Sequence, residues 1–140
     1  MAPSENKKTI DTFYAAFNAK DRERYCALLH PDFEVEISGS GEVSGHMDRE
    51  AFSRVVFERV EEVFPGGLRV EMVQQIAEAD SVACRVFVTG TTQGGNAYRN
   101  PACHVFRLAD DRIVEMVEYF DTLISAQAFE EAQARRNDEH

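Results

Sequence analysis

Over residues 8–20 the apolar positions Ile10, Phe13, Tyr14 and Phe17 recur at helical spacing, which predicts a first helix with an aromatic face turned inward. Asp21 is placed to cap a second, shorter helix over 21–29, which must end before His30-Pro31 because the residue before a proline is pushed out of the helical region. The period then becomes two. Phe33, Val35 and Ile37 alternate with Glu34, Glu36 and Ser38, the pattern of a half-buried strand whose glutamates stay in water. Gly39-Ser40-Gly41 and Ser44-Gly45 read as a flexible loop, placed to serve as a pocket lid, after which Asp48 opens a third helix carrying Phe52, Val55, Val56, Arg59, Val60 and Val63. Pro65-Gly66-Gly67 stops it. Four strand-like runs follow, beginning near Leu68, Ser81, Asn96 and Arg112, with hairpin turns at Ala79-Asp80, Gly94-Gly95-Asn96 and Asp110-Asp111. Residues 126–132 return to helical composition and lead into a charged tail; 1–7 and 135–140 are expected to be flexible.

Helices first and then a meander of long strands predict an α+β domain whose mostly antiparallel sheet is covered by helices on one face. In the last two runs Phe106, Met116 and Phe120 point to one face, and Cys103, Val105, Ile113, Val117 and Tyr119 to the other. Three helices cover only one of these apolar faces, so the second is expected to build a homodimer.

The 140 residues leave room for a single domain, 1–140. A formal charge of −10 repels polyphosphates and anionic surfaces, so nucleic acid and membrane are not expected as partners. No run approaches the ~18 apolar residues of a membrane span, and the first residues carry cations without the apolar stretch of a signal peptide. A cytoplasmic location is expected. Cys26, Cys84 and Cys103 are odd in number and lack C-x-x-C spacing, which reads as reduced thiols. His30, His46 and His140 have no partner at ligand spacing, and the cluster Gly39, Gly41, Gly45 lacks the Lys-Ser/Thr ending of a phosphate loop. Neither metal nor nucleotide cofactor is expected.

The phrases Phe13-Tyr14-Ala15-Ala16-Phe17-Asn18-Ala19-Lys20-Asp21, His104-Val105-Phe106-Arg107-Leu108 and Ile113-Val114-Glu115-Met116-Val117-Glu118-Tyr119-Phe120-Asp121, in this order of elements, resemble the SnoaL-like branch of the nuclear transport factor 2-like superfamily. The resemblance runs from about Lys8 to Leu123. It implies a curved sheet wrapped round helices into a cone with a pocket at the wide end, on a scaffold that hosts isomerases, polyketide cyclases, dehydratases, epoxide hydrolases and non-catalytic binding proteins.

If Phe106 faces the pocket, strand alternation brings Tyr98, Asn100, Ala102 and His104 to the same side, with Val114, Met116, Glu118 and Phe120 from the next strand. His104 and Glu118 then share one apolar cavity, where an imidazole and a carboxylate can hold opposite protonation states. The resemblance puts His104 where ketosteroid isomerases carry an oxyanion-binding acid, and Glu118 where SnoaL-like cyclases carry an Asp. It also implies departures: the isomerase's base and tyrosine fall at Ile37 and Phe13, and the epoxide hydrolase triad falls at Arg85, Phe87 and Glu118.

Arg85 is read either as the countercharge of Glu118 or as a surface residue, and a bulge could turn Asp121 inward in place of Glu118. Tyr14 and Phe17 are read as core aromatics of the first helix, the alternative being that the Tyr14 hydroxyl reaches the pocket. Two classes of function fit. One is a cofactor-independent enzyme, a cyclase, isomerase or hydro-lyase acting beside a carbonyl of a hydrophobic substrate, with Glu118 moving a proton and His104 donating to the oxygen. The other is a non-catalytic protein binding a small hydrophobic molecule, favoured if Phe106, Met116 and Phe120 fill the pocket.

Overall fold

The computed structural model describes residues 2–138. Helix α1 (Pro3–Asn18) begins with proline at its first position, where the missing N–H costs nothing, and buries Ile10, Phe13, Tyr14 and Ala16. It starts earlier than its apolar periodicity suggests. Asn6 is almost completely buried and its amide donates to the Ala79 carbonyl, so residues 3–7 are fixed rather than loose. Helix α2 (Arg22–Ala27) is capped by Asp21, whose Oδ1 accepts from the Arg24 N–H.

Strand β1 (Leu29–Ile37) alternates as expected, with Phe33, Val35 and Ile37 buried and Glu34 and Glu36 exposed. The loop after it is shorter than the sequence suggests, because β2 (Gly45–Asp48) pairs antiparallel with β1. Asp48 then caps α3 (Arg49–Arg54), accepting from the Ala51 N–H. The helix widens into a π turn over Val55–Arg59 before α4 (Val60–Val63). Gly66 and Gly67, at φ 84° and 79°, turn the chain away in a left-handed conformation that glycine adopts freely.

Strands β3 (Arg69–Glu78), β4 (Ser81–Thr91), β5 (Ala97–Ala109) and β6 (Arg112–Phe120) form the predicted meander, and α5 (Thr122–Asp138) closes the chain. The helix α5 therefore takes in 135–138; Met1, Glu139 and His140, which belong to the expected flexible ends, lie outside the described residues. The six-stranded sheet has the order β2-β1-β6-β5-β4-β3, antiparallel except where β1 runs parallel to β6. Helices α1 to α3 lie in its concavity. The core joins Ile10, Phe13 and Tyr25 to Phe33, Val82, Phe106 and Met116, and a second cluster joins Phe64 and Tyr98 to α5.

One expectation about the faces is overturned. The register slips between Arg107 and Leu108, so that Leu108 faces Ile113 while Arg107 faces Glu115. This bulge reverses the parity at the start of β6: Ile113 is fully buried in the core rather than outward, and Val114 is the extra residue and does not reach the cavity. Cys103, Val105, Val117 and Tyr119 do lie on the convex face, Tyr119 being 53% exposed. Among the described residues no helix is long and apolar enough to cross a membrane.

Candidate functional site

A cavity of about 130 Å³ opens between the concave face of the sheet and the helices, a size comparable with engineered apolar cavities that take up a benzene ring. Its walls are mostly aromatic and aliphatic. Phe13, Tyr14, Phe17 and Tyr25 come from the first two helices, Val55, Val56 and Val60 from the π turn and its continuation, and Phe129 from α5. The sheet contributes Tyr98, Asn100, Ala102 and His104 from β5, with Met116, Glu118 and Phe120 from β6.

The chemistry lies at the junction of β5, β6 and α1. His104 and Glu118 are directly opposite in the β5–β6 register, which brings Nε2 of the imidazole within 3.2 Å of Glu118 Oε1. The other ring nitrogen, Nδ1, is 2.8 Å from the Tyr14 hydroxyl. Tyr14 and His104 are therefore hydrogen-bonded, and Glu118 lies against the far nitrogen of the same ring. Burial disfavours charge on all three: it pushes His104 down to about 4 and Glu118 up to about 7, and holds the Tyr14 phenol far above its ordinary value. In the neutral ring the tautomer sets the direction of the bond to Tyr14: either the Tyr14 hydroxyl donates to Nδ1, or Nδ1–H donates to the Tyr14 oxygen.

A second polar group lies further along β5. Asn100, 1% exposed, donates to the Tyr98 hydroxyl at 2.9 Å and to the Asp121 carbonyl at 3.0 Å, and its Oδ1 accepts from the Asp121 N–H. Asn100 thus lines the cavity while holding the corner where β6 turns into α5. The Asp121 carboxylate does not turn inward. Its Oδ1 accepts from the N–H groups of Leu123 and Ile124 and so caps α5, while Glu118 faces the cavity.

Three of the expected pocket residues lie elsewhere. On β4 the inward positions are Val82, Cys84, Val86 and Val88, so Arg85 and Phe87 project from the convex face. Arg85 donates to the Gln74 side chain, and the Arg99 guanidinium stacks over the Phe87 ring at 3.8 Å. Arg85 therefore cannot be the countercharge of Glu118. Phe106 is fully buried behind Tyr14 and Phe13 and does not line the cavity, which is left open by Met116 and Phe120.

Residues that the sequence did not single out complete the site. Tyr25 is 3% exposed and stacked on Phe13 with ring centroids 4.2 Å apart, and Ser125 and Phe129 reach over from α5. Their one signal is the inward helical spacing of an aromatic with a polar tip. Val43 brings the glycine-containing loop onto the cavity, and the loop is latched: both carboxylate oxygens of Glu42 accept from Arg59 in the π turn, at 2.5 and 2.7 Å. Among the described residues no group of three or more His, Cys, Asp or Glu could hold a metal ion.

The SnoaL-like domain family model matches residues 10–116. IdmH from Streptomyces antibioticus, a proposed polyketide cyclase, is 25% identical, with a TM-score of 0.75 over 89% of this chain and 97% of that one. PrhC from Penicillium brasilianum superposes with a TM-score of 0.84 at 15% identity, over 96% of this chain and 91% of its own. TerC co-crystallised with polyporic acid has a TM-score of 0.79 at 24% identity, covering 90% and 98%. These likenesses share the fold described above, helices packed against a mostly antiparallel six-stranded sheet. No curated protein matches the chain.

Proposed function

The chain belongs to the SnoaL-like family within the nuclear transport factor 2-like superfamily, and from that premise we propose that it is a small-molecule enzyme. The reaction is cofactor-independent acid-base chemistry beside a carbonyl of a hydrophobic substrate, of the polyketide cyclase, isomerase or hydro-lyase kind. The observation that carries this reading is the His104–Glu118 contact of 3.2 Å on the wall of an apolar cavity. A carboxyl held near 7 by burial is half ionised at neutral pH, which is where a general base is most effective. The likeness to IdmH supports the cyclase class.

Glu118 takes a proton from the carbon next to the carbonyl and returns it to the substrate. His104, fixed by its hydrogen bond with Tyr14, lies 3.2 Å from the carboxylate and positions it. Glu118→Gln keeps the shape but removes the base, and His104→Ala removes its support. Each is expected to lower turnover of a cyclisable ketone substrate by roughly 10²-fold or more, the usual size of a general acid-base contribution. Unchanged turnover in Glu118→Gln would overturn the reading. The proposal extends to a cytoplasmic homodimer that pairs its convex faces, supported by three unpaired cysteines and by the apolar side chains around Val105, Val117 and Tyr119.

A further inference from the structure

The polar side chains of the cavity differ in whether they are already occupied. Tyr14 is bonded to His104 Nδ1, and Nε2 of the same ring lies against Glu118 at 3.2 Å. Asn100 holds Tyr98 and the Asp121 backbone, and Ser125 lies against Tyr98. Tyr25 alone among these aromatics and amides has a hydroxyl with no hydrogen-bond partner among the described residues. Nor is that oxygen sealed from contact: among the described residues, the one buried side-chain oxygen or nitrogen that is both enclosed and unpartnered is Asn6 Oδ1.

A buried phenol without a partner costs folding free energy unless something else meets it. Its ring is also held unusually well. It stacks on Phe13 at 4.2 Å, meets the edge of Phe57 at 5.1 Å, and is flanked by Phe17 and Phe52. The helix that carries it is fixed by the Asp21 cap. Burial, with the Glu118 charge adding to it, raises the Tyr25 phenol well above its usual range, so it remains a donor while Glu118 ionises.

We propose that Tyr25 is the hydrogen-bond donor for the substrate's carbonyl oxygen, and that the cavity takes planar ring ketones whose oxygen lies against that hydroxyl. This rests on the acid-base reading and reassigns the donor role, because Nδ1 of His104 is bonded to Tyr14 and Nε2 is turned to Glu118 at 3.2 Å, whereas the Tyr25 hydroxyl has no partner among the described residues. In the step, the Glu118 carboxylate accepts the proton as the C–H bond breaks. The electron pair moves into the new C=C bond, the former C=O pair moves onto oxygen, and the enolate oxygen keeps its hydrogen bond from Tyr25. Protonation of the enolate by Glu118 at carbon restores the carbonyl and the carboxylate.

The test is binding, measured by NMR titration at pH 8, where Glu118 is ionised and cannot donate. The probes are 1-indanone, a planar ring ketone, and indane, its hydrocarbon counterpart. Tyr25→Phe is expected to weaken 1-indanone about tenfold, the order of one desolvated hydrogen bond, and to leave indane within about twofold. Equal effects on both probes, no effect on 1-indanone, or no binding of either probe to the wild-type protein would overturn the proposal. Turnover of Glu118→Gln tests the acid-base reading, and the contrast between 1-indanone and indane in Tyr25→Phe tests this proposal, so the two fail independently.

Discussion

The pair His104 and Glu118 opposes two titrations within one contact. For Glu118, whose folded value of about 7 lies above its ordinary 4.5, stability is fully present below 4.5 and is lost as pH rises through 7. For His104, whose folded value of about 4 lies below its ordinary 6.5, stability is present above 6.5 and is lost as pH falls through 4. Between about 4.5 and 6.5 the two slopes cancel. Glu118→Gln leaves the histidine slope alone, so the variant's stability relative to wild type should rise with pH across that window; urea melts at three pH values in it measure the trend. A flat difference would show that the pair does not titrate as buried neutral groups. The pairing itself was legible because alternation within β5 and β6 needs no more than the residue numbers. Tyr25 was not legible in the same way. An aromatic on the inner face of a short helix looks alike whether its hydroxyl is bonded or free, and only the occupied state of its neighbours distinguishes the two.

At the scale of elements, the turns announced themselves through Asp and Gly: Asp110 and Asp111 do adopt positive φ, and the hairpins fall where the sequence puts them. Faces were harder. Val82, Cys84, Val86 and Val88 alternate with Ala83, Arg85, Phe87 and Thr89, and with Phe87 among the outward residues either set could have been taken for the inner one. The bulge that buries Ile113 leaves no mark in composition, and β2 is a four-residue strand that exists by pairing with β1. The π turn likewise follows a pattern that an ordinary helix would satisfy. It carries Arg59, which stacks on Phe129 while binding Glu42, and so ties the loop, the widened helix and α5 together at the cavity. Arg59→Ala is expected to raise amide hydrogen exchange over residues 39–44 by about fivefold or more while exchange in β4 and β5 stays unchanged. Exchange in the loop at the wild-type rate would show that the latch does not hold it.

At the scale of the molecule, the proposed dimer joins a convex face that mixes apolar and charged residues. Val105, Val117 and Tyr119 stand beside ion pairs such as Arg99–Glu71 and Arg107–Glu115. Val117→Arg would bury an unpaired charge at the centre of the proposed contact, and sedimentation should then show monomer or aggregate in place of dimer. An unchanged dimer would move the interface to another face. The parallel pairing of β1 with β6 bears on the order in which the chain is made. A ribosome delivers α1, α2 and β1 long before residues 112–120, and until those arrive β1 has no neighbour that joins it to the β3–β4–β5 sheet on which Phe13 and Tyr14 lie. No N-terminal fragment can hold the pocket, since Glu118 arrives with the strand that closes it. The wall that carries His104 and Glu118 and the last structural closure are thus a single late event in synthesis, one that trades slower folding through a long-range pairing for a cavity that never exists in a half-made chain.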